Sequence, residues 1–252
     1  MKILSRIAAQ IAMLAAKIIG GTSLLAFGAF LFNGPMRFFN LSRSDYGAFF
    51  IDFALCLIFF IQHSGMVRKS FQDWLSGFVP SHFNGAIYTI VSGLTLFMLM
   101  VFWQPTSVFL FSVGIPYCWI LRALFVASIF GFVWGIRALG SFDGFGVRPI
   151  KLHLSGKTLR EMPIAIRGPY KWVRHPLYTF VLVMLWSYPY FTADRLLFNT
   201  TFTIWVFIGA ILEERDLVSV FGADYRQYQK RVPMLIPVRI PSQTSQTHDL
   251  EA

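Results

Sequence analysis

Long apolar stretches alternate with short polar connections along the chain. Six runs are dominated by Leu, Ile, Phe, Val, Ala and Met: residues 11–33, 46–62, 83–103, 117–139, 176–191 and 195–212. Each is close to the roughly 17 to 25 residues a helix needs to cross bilayer hydrocarbon. The pattern predicts an all-α fold, a polytopic membrane bundle of five to six transmembrane helices. Residues 1–139 form an N-terminal helical region, 140–240 a second region, and 241–252 a disordered tail. Lys2, Arg6 and Lys17 precede or enter the first run, as in a signal peptide. Its apolar length outruns a signal core, so this helix is expected to be retained.

Composition agrees with lipid as the solvent. The 252 residues are 56% hydrophobic, 17% aromatic and only 13% charged, where a soluble domain carries about a quarter charged residues. The net charge of +10 raises the question of nucleic acid, and the placement of the charge answers it. Seven of the 22 basic residues (Arg148, Lys151, Lys157, Arg160, Arg167, Lys171 and Arg174) lie in one connection between apolar runs. Such clustering follows from membrane topology and anionic lipid, and no nucleic-acid-binding motif accompanies it. With the N-terminus in the cytoplasm, 1–10, 63–82, 140–175 and 213–252 fall inside and hold most Lys and Arg. The 104–116 connection holds none, and Arg37 and Arg43 run against the trend. Both termini are therefore expected in the cytoplasm.

Several chemistries are excluded by spacing. Cys56 and Cys118 lie far apart in apolar runs and read as buried hydrophobes, with no disulfide framework or zinc site. The histidines at 63, 82, 153, 175 and 248 show no HxxH or HxxxH spacing, so no metal is expected. Neither GxGxxG nor a P-loop is present. Asp52 lies inside the second apolar run, where a carboxylate is either functional or paired with a neighbouring helix. Arg122 and Arg137 flank the fourth helix and are expected to snorkel.

The last two runs are joined only by Phe191 to Arg195, so they must be antiparallel neighbours. About eighteen residues lead back from that turn to His175 and about eighteen forward to Glu213. At about 1.5 Å per residue the two ends come out level, and RHPLY faces LEERDL across a gap suited to a nucleotide-sized molecule. In Arg174-His175-Pro176 the residue before proline is driven extended, and proline suits a first helical position. A helix starting at Pro176 presents free amides and a positive dipole end beside Arg174 and His175, an anion site. Opposite, Glu213 and Glu214 can hold a cation or hydroxyls, and Tyr170, Trp172 and Tyr178 offer flat surfaces. A ligand with a carboxylate, an ammonium, a ribose and an aromatic ring would satisfy all of these. The bland alternative is an Arg174–glutamate ion pair that stitches the hairpin. Beyond the glutamates, Glu214, Val218, Phe221, Tyr225 and Tyr228 recur at helical spacing and predict an amphipathic cytoplasmic cap. Gly222 should break it, Asp224 with Gln227 resembles a capping box, and Pro233 should end it.

Together, GPYKWVRHPLY and LEERDLVSVFGADYRQYQKRVPMLIP resemble the C-terminal signature of the isoprenylcysteine carboxyl methyltransferase superfamily. FFIQHSGMVRKSFQDWLSGFVP and SFDGFGVRPI look like its bacterial methanethiol S-methyltransferase branch, which would place the chain in a bacterial inner membrane. The resemblance implies S-adenosylmethionine as cofactor, bound by Tyr170, Arg174, His175, Pro176, Leu177, Tyr178 and Glu213, with Glu214 in support. The prenylcysteine enzymes carry an acceptor-binding arginine where this chain has Gly209, which argues against a prenylated carboxylate. DGFGVR matches that branch's HFDLFG only in part.

The acceptor implied is a small hydrophobic thiol such as methanethiol, partitioning from membrane lipid. Gln62 and His63, at the end of the second helix, could form a polar acceptor wall, with His63 as the base or as a helix-capping histidine. Alternatives are a lipid amine, a phenol or an isoprenoid carboxylate as acceptor, a sterol-type reductase using a nicotinamide, or a non-catalytic membrane protein.

Overall fold

The computed structural model describes residues 2–140, 142–158 and 164–238. The expected disordered tail, 241–252, lies outside these residues, as does Arg160. The elements in order are α1 (Lys2–Asn33), α2 (Asp45–Val67), α3 (Lys69–Ser76), α4 (Asn84–Phe102), β1 (Phe109–Ser112), α5 (Tyr117–Leu139), α6 (Arg148–Leu154), α7 (Pro176–Trp186), β2 (Tyr190–Thr192), α8 (Ala193–Phe221) and α9 (Ala223–Arg231). Five helical spans, Ser5–Asn33, Asp45–Val67, Ser81–Phe102, Tyr117–Leu139 and Ala193–Phe221, are long and apolar enough to cross a membrane. The protein is an all-α membrane bundle, as the apolar pattern predicts. Leu25, Phe50, Ile61 and Phe130 stand 71–77% exposed, an outward face that only lipid accommodates.

The five spanning helices α1, α2, α4, α5 and α8, with the shorter α7 beside them, run between two ends of the bundle. At the first end, Arg68 after α2 pairs with Asp216 near the end of α8 at 3.3 Å. There His82 before α4 stacks on His153 of α6, with ring centroids 3.9 Å apart. Asp143 organises the loop after α5 by accepting from the amides of Val147 (3.1 Å) and Arg148 (2.7 Å), the entry to α6. A small cluster of Ala9, Ala16, Ala86, Val147 and Ile150 packs this end.

The other end is a polar knot under an aromatic core. Asp194, in the first turn of α8, accepts from Trp103 Nε1 (3.1 Å) and from the amide and hydroxyl of Thr106 (3.3 and 3.0 Å). Arg195 donates to the carbonyls of Leu31 and Leu185, closing the last turns of α1 and α7. Asp52 is fully buried and accepts from the amide of Gln104 at 2.8 Å. Of the two readings open to Asp52, helix-end pairing is the contact observed. Above the knot, Phe30, Phe59, Trp103, Phe125, Leu185, Phe198 and Phe202 form one core that joins helices from both sides of residue 140.

Several expectations are corrected. The 176–191 helix stops at Trp186, because Pro189 cannot continue it and keeps Tyr188 extended. Residues 190–192 then pair antiparallel with 109–112, with Ser112 opposite Tyr190, a two-stranded ribbon too short to show alternation in sequence. The 195–212 helix runs on to Phe221, since leaving the bilayer does not by itself end a helix. The Asp224–Gln227 capping box is not formed; Gly222 precedes α9 without a side-chain cap. Arg122 does not snorkel. It turns inward to the Phe32 carbonyl and lies 4.2 Å above the Phe32 ring.

The ends of α7 and α8 still come out level, for a reason the sequence did not reveal. The eleven residues of α7 rise about 16 Å. The non-helical residues 188–192 can add about 16 Å. Together these come close to the roughly 31 Å that α8 climbs from Ala193 to Glu214. Packing holds α7 in place. Gly131 and Gly135, one turn apart on α5, receive Phe180 and Leu177 of α7, and a Cβ on Gly135 would lie 2.7 Å from Leu177 Cδ2. Such small-residue seams let membrane helices approach closely.

Candidate active site

The site forms where the chain enters α7. Arg167 and His175 are non-helical, a 3-10 turn over Gly168–Lys171 lies between them, and α7 begins at Pro176 as expected. Residues following α9 hold this entrance from outside. The amides of Arg174 and His175 donate to the carbonyls of Pro233 (2.9 Å) and Met234 (3.1 Å). The Thr179 hydroxyl donates to Leu235 O (2.7 Å), and Tyr228 Oη to Tyr170 O (2.5 Å). Tyr170 and Tyr228 are buried, and burial raises the pKa of both phenols, so they stay neutral.

Facing this entrance, α8 brings Glu213 and Glu214 to opposite tasks. Glu214 is engaged on both oxygens. Oε1 meets Arg174 Nε at 2.5 Å and His175 Nε2 at 3.2 Å, and Oε2 accepts from Gln229 Nε2 at 2.9 Å. Arg174 also donates to the carbonyls of Gln229 and Val232, closing the last turn of α9. Glu213 points elsewhere. Its Oε2 accepts from Tyr178 Oη at 2.8 Å and lies 3.7 Å from His175 Nδ1, and its side chain is 46% exposed. His175, only 5% exposed, stacks on Tyr178 with centroids 5.5 Å apart.

The structure thus brings Tyr170, Arg174, His175, Tyr178, Glu213 and Glu214 together. It does not show the expected gap between the two ends, because Arg174 and His175 contact Glu214 directly. Opposite charges at a membrane boundary, where the effective dielectric falls, pair when in reach. The bland ion pair is present, and it uses Glu214 rather than Glu213. Pro176 starts the helix, and Leu177 packs on Gly135 of α5. A surface hollow of about 360 Å³ beside α9 is lined by Ile211, Glu214, Arg215, Val218 and Gln229, on a side that His175 and Tyr178 do not line.

His63 lies on α2, within 2.8 Å of Tyr88 Oη through Nε2, among the rings of Phe59 and Trp205. Its neighbour Gln62 accepts from Thr95 Oγ1 (2.6 Å) and donates to Ser92 Oγ (3.1 Å). Tyr88 was not singled out from sequence. The signal was there: Tyr88, Ser92 and Thr95 recur at i, i+4 and i+7 in a run otherwise apolar but for Asn84 and Thr89.

The donor set fits a zwitterionic nucleoside ligand in part. Glu213 keeps an oxygen for an ammonium or ribose hydroxyls, and Pro176 opens the helix whose first turn carries Tyr178, the partner of Glu213. Arg174, by contrast, is committed to Glu214 and α9. Among the described residues no group of three metal-ligating side chains is formed.

No family profile matches the chain, and no solved structure matches it. Curated relatives do. A methanethiol S-methyltransferase from a Pseudomonas species is 40% identical over 199 residues, covering 76% of this chain and 74% of the relative. Methanethiol S-methyltransferase 1 of Bradyrhizobium diazoefficiens is 36% identical over 197 residues, 76% of this chain and 68% of the relative. Nurim of Rattus norvegicus is 26% identical over 178 residues, 66% of each chain. The length and identity of the bacterial matches establish that the chain belongs to the methanethiol S-methyltransferase family of membrane methyltransferases.

Proposed function

We propose that this membrane methyltransferase transfers a methyl group from S-adenosylmethionine to a small thiol such as methanethiol, at the bundle end where α8 meets α9. The observation that carries this reading is the half-exposed Glu213, held by Tyr178 and His175 beside the first turn of α7. The basic residues at this end support a cytoplasmic orientation for it in a bacterial inner membrane.

When bound, the cofactor supplies a methyl on a sulfonium, an electrophile open to in-line displacement. Glu213 takes the ribose hydroxyls or the ammonium, and the dipole at the start of α7 favours the carboxylate. Tyr178 fixes the Glu213 carboxylate, and His175 fixes Tyr178 by stacking. Glu214 and Arg174 hold the scaffold. The acceptor thiol sits against Gln62, and His63 is the base toward which its proton is drawn. A thiolate meeting a cation loses charge in the transition state, so the apolar surroundings of Phe59, Phe60 and Trp205 favour reaction. Alignment of the sulfur with the methyl supplies much of the remaining barrier reduction.

The test is methyl transfer by membranes containing the protein, with labelled cofactor and a panel of thiols, lipid amines, phenols and isoprenoid acids. Thiol methylation that requires the cofactor, lost with binding in His175→Ala and Glu213→Ala, is the expected result. Wild-type cofactor affinity in both variants would overturn the site. Transfer only to an amine, phenol or acid would overturn the acceptor.

A further inference from the structure

An unusual amount of polar chemistry lies between α2 and α4, inside the membrane-spanning part of the bundle. Tyr88, Ser92 and Thr95 form a stripe along one face of α4, against Gln62 and His63 of α2. Gln62 bonds both Ser92 and Thr95. Among the described residues, Tyr88 is also the side chain hydrogen-bonded to His63, whose remaining ring neighbours are Phe59 and Trp205. Polar groups within a span are costly, and where they persist they mark a substrate or proton path.

The stripe leads to the site. Tyr88 lies near enough to Tyr178 for the two to interact electrostatically, and Tyr178 donates to Glu213 at 2.8 Å. Tyr88 thus bonds the expected acceptor wall at His63 and lies within electrostatic range of Tyr178 on the expected cofactor wall.

We infer that Tyr88 carries the proton of a small thiol acceptor to His63, in a pocket formed by the α4 stripe and Gln62. This rests on the methyl-transfer reading above and deepens it. The thiol S–H bond breaks as its proton passes to Tyr88 Oη, while the proton of Tyr88 passes to His63 Nε2. The sulfur electron pair then forms the new S–CH3 bond. The methyl's former C–S bond breaks, its electrons remain on the departing sulfur, and His63 later releases one proton to water. Gln62, itself fixed by Ser92 and Thr95, faces the acceptor.

The experiment uses full-length protein in lipid nanodiscs and Tyr88→Phe, which keeps the ring. Binding of labelled S-adenosylmethionine is measured separately from methyl transfer to methanethiol and to an aromatic thiol already ionised at pH 7. Tyr88→Phe is expected to bind the cofactor within about twofold of wild type. It should lose roughly 100-fold in turnover of methanethiol at pH 7, regain rate as pH rises, and methylate the ionised thiol nearly as fast as wild type. Equal losses on both thiols would mean a structural role, and unchanged turnover of methanethiol would mean no role. Either overturns the inference. A wild-type protein that binds no S-adenosylmethionine would instead remove the methyl-transfer reading itself.

Discussion

Arg174 Nε stands 2.5 Å from Oε1 of Glu214, with both side chains nearly buried at 9% and 12% exposure. One residue earlier in α8, Glu213 meets the entrance to α7 only through Tyr178 and His175. Two adjacent carboxylates thus divide the work: Glu214 fastens α7, α8 and α9 together, and Glu213 faces outward.

Removing Glu214 leaves Arg174 buried without its carboxylate and Gln229 without its acceptor. Breaking a buried pair from one side costs about 3 kcal/mol or more. Glu214→Ala should therefore lower the thermal unfolding midpoint sharply in detergent and reduce the yield of folded protein. A midpoint within a degree or two of wild type would show that the clamp contributes little.

Glu213→Gln should behave in the opposite way. The side chain is half exposed, and Gln still accepts from Tyr178, so stability should change by no more than about 0.5 kcal/mol. Cofactor affinity should fall at least tenfold, about 1.4 kcal/mol, as read by equilibrium binding. If Glu213→Gln destabilised the fold as much as Glu214→Ala, the division of roles would be wrong.

Much of this arrangement is visible in the order of residues. Apolar length marks the spans, and the short link at Phe191 to Arg195 forces His175 and the two glutamates to one end. The site could not be read to atomic detail, because charge pairing is decided by rotamer and helix phase. Sequence spacing alone does not say which of two neighbouring glutamates meets Arg174. The early stop of α7 at Trp186 was readable from Pro189, whereas the pairing of 190–192 with 109–112 depends on partners about eighty residues apart. Tyr88 was hidden differently. A tyrosine in an apolar run looks like core until its partner His63, on another helix, is known.

The α5–α7 seam sets the position of the site, and its two glycines should tolerate substitution unequally. A Cβ at Gly131 would fall within 2.7 Å of several ring atoms of Phe180, whereas one at Gly135 would press on the free end of Leu177. A ring cannot yield without moving its helix, but a leucine methyl can change rotamer. Gly131→Ala should cost roughly 1–3 kcal/mol and weaken cofactor binding through displacement of Tyr178. Gly135→Ala should cost less. Unfolding and binding measured on both variants check the order, and a larger loss in Gly135→Ala would contradict the seam as described.

The bend between α8 and α9 depends on one backbone position. Gly222 has φ +57° and ψ −123°, a combination open to glycine and strained by about 1–3 kcal/mol for other residues. Through this bend α9 returns Gln229 and Val232 to Arg174, so strain at Gly222 is passed to the clamp. Gly222→Ala should lower stability by about 1–2 kcal/mol and reduce cofactor affinity less than Glu213→Gln does, since Glu213 itself is not displaced. Thermal unfolding and equilibrium binding on the same preparation separate the two effects. A binding loss exceeding that of Glu213→Gln would mean that α9 itself contacts the ligand.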